Sequence, residues 1–424
     1  MTRSKRIQPA IRPVDLGKIP EARLFTLKNG VPVYLINSGT EDLVRMEFIF
    51  SAGKIKEDRP LLASTTNMML SEGSKKYSSA RLNSLMDYYG AFYKLSAERD
   101  KAGISVVLIN RYLEKILELI REILFLPRFP EKELNALMKK RLSWYLVNCD
   151  KVHNIASDQL FESIFGKRHP YGRKLVPEDF NNMNPSLLSD FHKKYYSPSD
   201  MAVIVSGKIR KGTASLLNNY FGEMHPGEVC SEDPVYRMKS LARKKVHKNK
   251  SGALQTAIRI GSPTINKRHP DYPGLKILNT ILGGYFSSRL MKNIREDKGY
   301  TYGISSSVSS LDLSGFKVIS TEVSKKHTRK TIDEIYKEIR LLQKKPVGRD
   351  ELRIVRNYIL GEMVRMFDGP FAIAESFRSV WEFGLDNSYY YRFVKKVKTI
   401  DPDEITALAA TYYNTDELHE ITAG

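Results

Sequence analysis

The last stretch of the chain repeats its middle, and that repeat constrains the fold more than any other feature. Thr411-Tyr412-Tyr413-Asn414-Thr415-Asp416, closed by Gly424, answers Lys194-Tyr195-Tyr196-Ser197-Pro198-Ser199, closed by Gly207. Further in, Thr256-Ala257-Ile258-Arg259-Ile260-Gly261-Ser262 answers Glu47-Phe48-Ile49-Phe50-Ser51-Ala52-Gly53. The apolar pattern of 333–342 followed by Asp350-Glu351-Leu352 answers that of 115–124 followed by Glu131-Lys132-Glu133-Leu134. A repeat this long is a duplicated domain, not a solenoid unit. The expected organisation is an arm at 1–22, a first half at 23–221, a linker at 222–250 holding Pro226, Gly227 and Pro234, and a second half at 251–424.

Each half mixes the two periodicities. Asn29-Gly30 between apolar runs 24–27 and 31–36 is a hairpin signal. Met46, Phe48 and Phe50 share one face of a strand over 44–50. Helical spacing covers 61–70, 79–89, 112–124, 130–148 and 185–195, with further strands at 92–97, 103–109 and 201–206. The fold class expected is α+β: two similar halves, each a mainly antiparallel sheet with helices packed on one face.

Composition excludes several function classes. Hydrophobic residues make up 42% of the 424-residue chain, enough for two large cores. The two cysteines, Cys149 and Cys230, have no spacing partner, which argues against a disulfide framework or a thiolate metal site and for a reducing, cytoplasmic compartment. No run approaches the ~18 apolar residues of a membrane span. The basic N-terminus has no apolar core behind it, and Pro9 and Pro13 interrupt the amphipathic helix of an organellar leader. The net charge is +20. Its densest run, 242–250, carries no aromatic residues for base stacking, so nucleic acid is not the expected partner. A solvated basic surface, attraction of acidic peptides and complementarity to an acidic subunit remain open.

The chemistry concentrates in 283–303, which contains Gly283-Gly284, Ser287-Ser288-Arg289-Leu290, Ile294-Arg295, Gly299-Tyr300 and Tyr302. The double glycine suggests a mobile loop, and Ser287 or Ser288 a helix cap. Leu290 and Ile294 mark a short amphipathic helix, and Gly299 a left-handed stop. Beyond it Tyr300, Tyr302, Ile304 and Ser306 are expected on one side of a strand. Arg295 and Tyr302 thus stand at the two ends of a helix-to-strand corner. A cation and a neutral donor so placed can hold a carbonyl oxygen as it gains negative charge.

This stretch closely resembles the second-half signature of the pitrilysin/insulinase family of zinc peptidases, and the resemblance covers nearly the whole chain. It implies a duplicated α+β fold, an Arg and a Tyr (here Arg295 and Tyr302) reaching an active site, and a glycine-rich loop (here Gly283 and Gly284) touching substrate or partner. Active members also carry an inverted zinc motif, H-x-x-E-H, on the first helix after the glycine that Gly53 matches. Here Ser64-Thr65-Thr66-Asn67-Met68 stands in its place. Ser64 and Met68 replace the histidines and Asn67 replaces the general base. Trp144 and Tyr145 fall where the third, carboxylate ligand belongs, and no carboxylate lies between Glu133 and Asp150. Lys94-Leu95 replace an Asn-Ala of the edge strand, whereas Arg99-Asp100 match.

Hydroxyl and thioether are poor zinc ligands, and an asparagine cannot take a proton from water. No two of the eight histidines lie three or four residues apart, and His169 and His269 each precede a proline as turn residues. Ser64 has no elbow glycines or nearby base, and no phosphate-binding glycine pattern occurs. The resemblance therefore implies a non-catalytic subunit of a two-subunit zinc peptidase. This chain would hold no cofactor. Its partners would be a zinc-bearing subunit of the same family and an unfolded peptide, with Arg295 and Tyr302 lent to that partner's site. The alternative is an inert scaffold or peptide-binding protein, homodimeric like relatives in respiratory complexes.

Overall fold

The computed structural model describes residues 17–227 and 236–424. Most of the expected arm, and 228–235 of the expected linker with Cys230 and Pro234, lie outside the described residues. The first sheet contains β1 (Arg23–Thr26), β2 (Pro32–Asn37), β3 (Leu43–Phe50), β4 (Phe92–Ala97), β5 (Ala102–Ile109) and β6 (Ala202–Gly207). The second contains β7 (Lys245–Lys248), β8 (Gln255–Thr264), β9 (Ile304–Ser310), β10 (Gly315–Ser324) and β11 (His419–Ala423).

The sheets run β1-β2-β6-β3-β5-β4 and β7-β11-β8-β10-β9. Without β1 they superpose in order and sense. Each has one parallel pair, β2 with β6 and β7 with β11, and is otherwise antiparallel. The α+β duplication read from the repeats is thus present in the topology. The hairpin signal is also met: β1 returns as β2 through Gly30, whose φ of 90° only glycine adopts freely. The basic run feeds β7, an edge strand, where charged side chains discourage pairing with other chains.

Val44, Met46, Phe48 and Phe50 on β3 are all fully buried on one face. Over them lies helix Leu113–Phe125, whose Leu113, Ile116, Leu117, Ile120, Ile123 and Leu124 recur at helical spacing and are buried in the same core. Helix Thr328–Lys344 does the same in the second half with Ile332, Ile335, Ile339 and Leu342. So far each half packs its own helices on one face, as expected.

The other face of each sheet is covered by a helix from the opposite half, which the sequence reading missed. Helix Val152–Phe165 places Ala156, Leu160 and Ile164 against Ala257, Phe316 and Ile421 of the second sheet. Helix Pro370–Trp381 places Ile373, Ala374 and Phe377 against Ile36, Ile49 and Ile204 of the first. The reason is the strands themselves: β3 and β6 carry apolar residues on both faces, and a sheet apolar on both faces needs two layers. Charge joins the same seam, where buried Glu47 accepts from Arg378 at 3.1 Å. Ile373→Val removes one methylene from this seam and is expected to cost about 1 kcal/mol, read as a shift in the urea midpoint. An unchanged midpoint would mean the crossed helix adds nothing.

Candidate functional site

The 283–303 stretch folds more tightly than its composition suggests. Gly283 and Gly284 are not a mobile loop but the end of a π-helical turn, Thr280–Gly284, and Gly283 is buried. A Cβ at Gly283 would lie 2.7 Å from the Ser306 Cβ and 2.8 Å from its backbone nitrogen. Glycine is needed here for close approach to β9. Neither serine caps a helix by its side chain: the Ser288 hydroxyl is buried without a hydrogen-bond partner among the described residues. The helix that follows is a π-helix, Met291–Asp297, a form that recurs at functional sites. Leu290 and Ile294 are buried as their spacing predicts, and Gly299 stops the helix at φ 64°.

Other side chains lock this corner from outside. Arg289 donates two hydrogen bonds to Glu351, at 2.7 and 2.8 Å. Asn293 donates to Glu334 at 3.0 Å and Glu338 at 2.6 Å. Thr301 donates to the Glu322 carbonyl at 2.8 Å. The strand starts at Ile304 instead of Tyr300, because these side-chain bonds hold 301–303 off the ladder. Tyr300 turns inward and stacks on His327 at 4.4 Å. Tyr302 is left 94% exposed. It borders a shallow groove of about 310 Å³ with Arg259, Thr301 and Glu322. The Arg295 guanidinium lies over the Phe286 ring at 4.6 Å. No hydrogen bond or ring contact joins Arg295 to Tyr302, so the corner presents both groups without pairing them.

The first-half position opens on the cleft between the halves. Ser64 and Asn67 sit on helix Leu62–Met69, and the side chain that meets Ser64 is a cation. Arg141, on helix Glu131–Asn148, donates to the Ser64 hydroxyl at 2.9 Å and to the Thr65 hydroxyl at 2.6 Å. Buried Glu57 stands nearby. It accepts from the Ala63 backbone nitrogen at 3.2 Å and from Arg173 at 3.4 Å, and burial pushes its pKa up to about 7. Burial lowers the pKa of Arg141, and Glu57's charge works against that fall. Met68 points away, 46% exposed. Trp144 is 69% exposed and the Tyr145 hydroxyl donates to the Leu175 carbonyl at 2.8 Å. The family's zinc does not fit: a guanidinium occupies the hydroxyls, and no group of three or more metal-ligating side chains exists among the described residues. Arg141 was missed in the sequence. Its one signal is position, a helical turn before the residues that replace the third ligand.

Asn67 has become a pin. Its amide donates to the Gly103 carbonyl on β5 at 3.2 Å and to the Tyr196 hydroxyl at 3.1 Å. The second half uses the same device. Asn279 donates to the Ser306 carbonyl at 2.9 Å and accepts from the Tyr413 hydroxyl at 3.1 Å. The matched pair Arg99-Asp100 also serves the join between halves. Arg99 lies over Phe161 and Phe316, and Asp100 accepts from the Asp312 backbone nitrogen at 3.1 Å. On β4, the free edge of the first sheet, Lys94 is exposed.

These features define a duplicated, peptidase-like chain in which a guanidinium bonds the hydroxyls of Ser64 and Thr65. Residues 182–359 match the family model described as "Peptidase M16 inactive domain", which bears out the pitrilysin/insulinase resemblance read from 283–303. The chain is 22% identical to "Uncharacterized zinc protease YmxG" of Bacillus subtilis over 80% of its length and 83% of that protein's. It is 21% identical to "Non-peptidase homolog YmxG" of Helicobacter pylori, over 75% of both. Over 48% of its length it is 23% identical to 32% of "Mitochondrial-processing peptidase subunit alpha-1" of Dictyostelium discoideum. In fold it matches the crystal structure of a peptidase M16 inactive domain from Pseudomonas fluorescens, with a TM-score of 0.87, 20% identity, and 95% and 98% of the two chains covered.

Proposed function

We propose that this chain is the non-catalytic subunit of a heterodimeric zinc peptidase and contributes Tyr302 and Arg295 to a site completed by a zinc-bearing subunit of the same family. One observation carries the reading: an almost fully exposed tyrosine on a rigid corner, in a chain whose Ser64 hydroxyl is bonded by a guanidinium. A bare phenol at 94% exposure has no packing role, while its chain neighbours Thr301 and Gly303 are held by side-chain hydrogen bonds. A rigid donor aimed outward suits an oxygen supplied by another molecule. Arg295 would orient the same substrate region, and the Gly283-Gly284 turn, packed on β9, would fix the corner's height. Unfolded peptide is the substrate class. Metal and water chemistry would come from the partner alone. No helix among the described residues is long and apolar enough to cross a membrane, and the cysteine usage supports a cytoplasmic setting.

Mixing the purified chain with a zinc-bearing member of the family tests this. Peptide cleavage by the mixture, with none by the purified chain, is the expected result. Cleavage by the partner that is indifferent to this chain would overturn it. The position of Arg295 favours a second reading, a peptide-binding scaffold without chemistry, because the guanidinium is stacked on Phe286 and not set against Tyr302.

A further inference from the structure

Between the halves lies a cavity of about 1160 Å³. Ser64, Glu57 and Tyr171 line it from the first half, and Lys267, Lys276 and Tyr390 from the second. That volume exceeds the usual range of small-molecule sites, which run to about 1000 Å³, and is roomy enough for a short peptide. The charged groups on its two walls are not alike. Glu57 is paired with Arg173, and Asp100 with Asp312's backbone nitrogen and the Tyr171 hydroxyl. Neither lysine of the second wall has a carboxylate within ion-pair distance among the described residues.

Lys267 donates to the Ser379 carbonyl and lies over the Phe383 ring at 5.2 Å, both neutral groups. The nearest acid, Glu382, is already held by Arg378 at 2.7 Å. The Lys276 ammonium, on helix Tyr272–Asn279, makes no hydrogen bond, ion pair or ring contact among the described residues, while the residue's carbonyl is bonded by Thr280. Burial holds its pKa down with no carboxylate acting against that, and burial lowers Lys267 to about 8, opposed by the charge of Glu382 and helped by that of Lys276. Two ammonium groups half out of water on one wall, facing a single carboxylate that Arg378 already holds, favour a bound anion.

We infer that Lys267 and Lys276 form the carboxylate-binding end of a peptide site within this single chain. A lysine pair offers compact point charges, which suit one carboxylate set among aromatic walls. Tyr389, Tyr390 and Phe393 beside them supply apolar surface for the adjoining side chains. The site is separate from the groove at Tyr302, so it stands or falls independently of the heterodimer reading.

Isothermal titration of the full chain with a heptapeptide lacking charged side chains tests the assignment. Three forms are compared: the free C-terminal acid, the C-terminal amide, and an amide with one internal glutamate. The acid is expected to bind roughly tenfold or more tightly than the amide, as a charge-assisted contact should. Lys276→Met, which breaks no bond within the chain, removes that advantage, while Lys276→Arg keeps part of it. An internal glutamate that restores binding shows that side-chain carboxylates are read as well as the terminus. Equal affinity for acid and amide, no binding of any form, or an advantage that survives Lys276→Met and Lys267→Met would each overturn the inference.

Discussion

Tyr302→Phe is expected to lower turnover of the reconstituted complex by roughly ten to a thousandfold, the range for losing one oxyanion donor. The loss should fall on kcat more than on KM, because the hydroxyl is needed only as the oxygen gains charge. The substitution should leave folding untouched. The ring is 94% exposed and its hydroxyl makes no hydrogen bond among the described residues. An unfolding midpoint equal to that of the parent chain therefore separates a chemical loss from a structural one. Parental turnover by the variant would remove Tyr302 from the mechanism and leave the scaffold reading.

Asn67→Glu, which puts the family's carboxylate back, should unfold the chain instead of repairing it. The cost is about 3–5 kcal/mol, that of an unpaired buried charge. Asn67 is 1% exposed, and its amide is a donor facing the Gly103 carbonyl. A carboxylate there would meet an acceptor with an acceptor. The variant's carboxyl would be protonated more readily folded than unfolded. The folded state then binds more protons, so stability falls as pH rises above the ordinary glutamate range. Denaturant titrations at pH 4 and pH 8 measure this, and a loss under 1 kcal/mol at pH 8 would show that the asparagine is not a pin. The same physics separates this chain from an active relative. More than ligands has been replaced, since the hydrogen bonds of the helix now require an amide.

Much of this was legible in order along the chain. The alternation Met46, Phe48, Phe50 fixes which face of β3 enters the core, because side-chain direction in a strand is local. The loss of the zinc motif was legible for the same reason, as ligand chemistry belongs to residue type. The seam between halves was not. Val152–Phe165 and Pro370–Trp381 are apolar enough to be buried anywhere, and nothing in a helix's own spacing says which sheet it will cover. Gly283 misled in the same way. Read alone a double glycine signals freedom, but in the fold its missing Cβ is what lets β9 come close.

By itself, then, the sequence determined the duplication, the α+β class, the absence of a zinc ligand set at 64–68 and the presence of an Arg and a Tyr on one corner. These follow from periodicity and side-chain chemistry, both written residue by residue. Only the tertiary structure decided that Arg141 bonds Ser64, that Asn67 pins its helix, that Tyr302 faces outward while Arg295 lies on Phe286, and that Lys267 and Lys276 share one cavity wall. Each of these joins groups far apart in the chain or turns on how tightly the elements pack, and such contacts exist only once two sheets and their crossed helices have closed on one another.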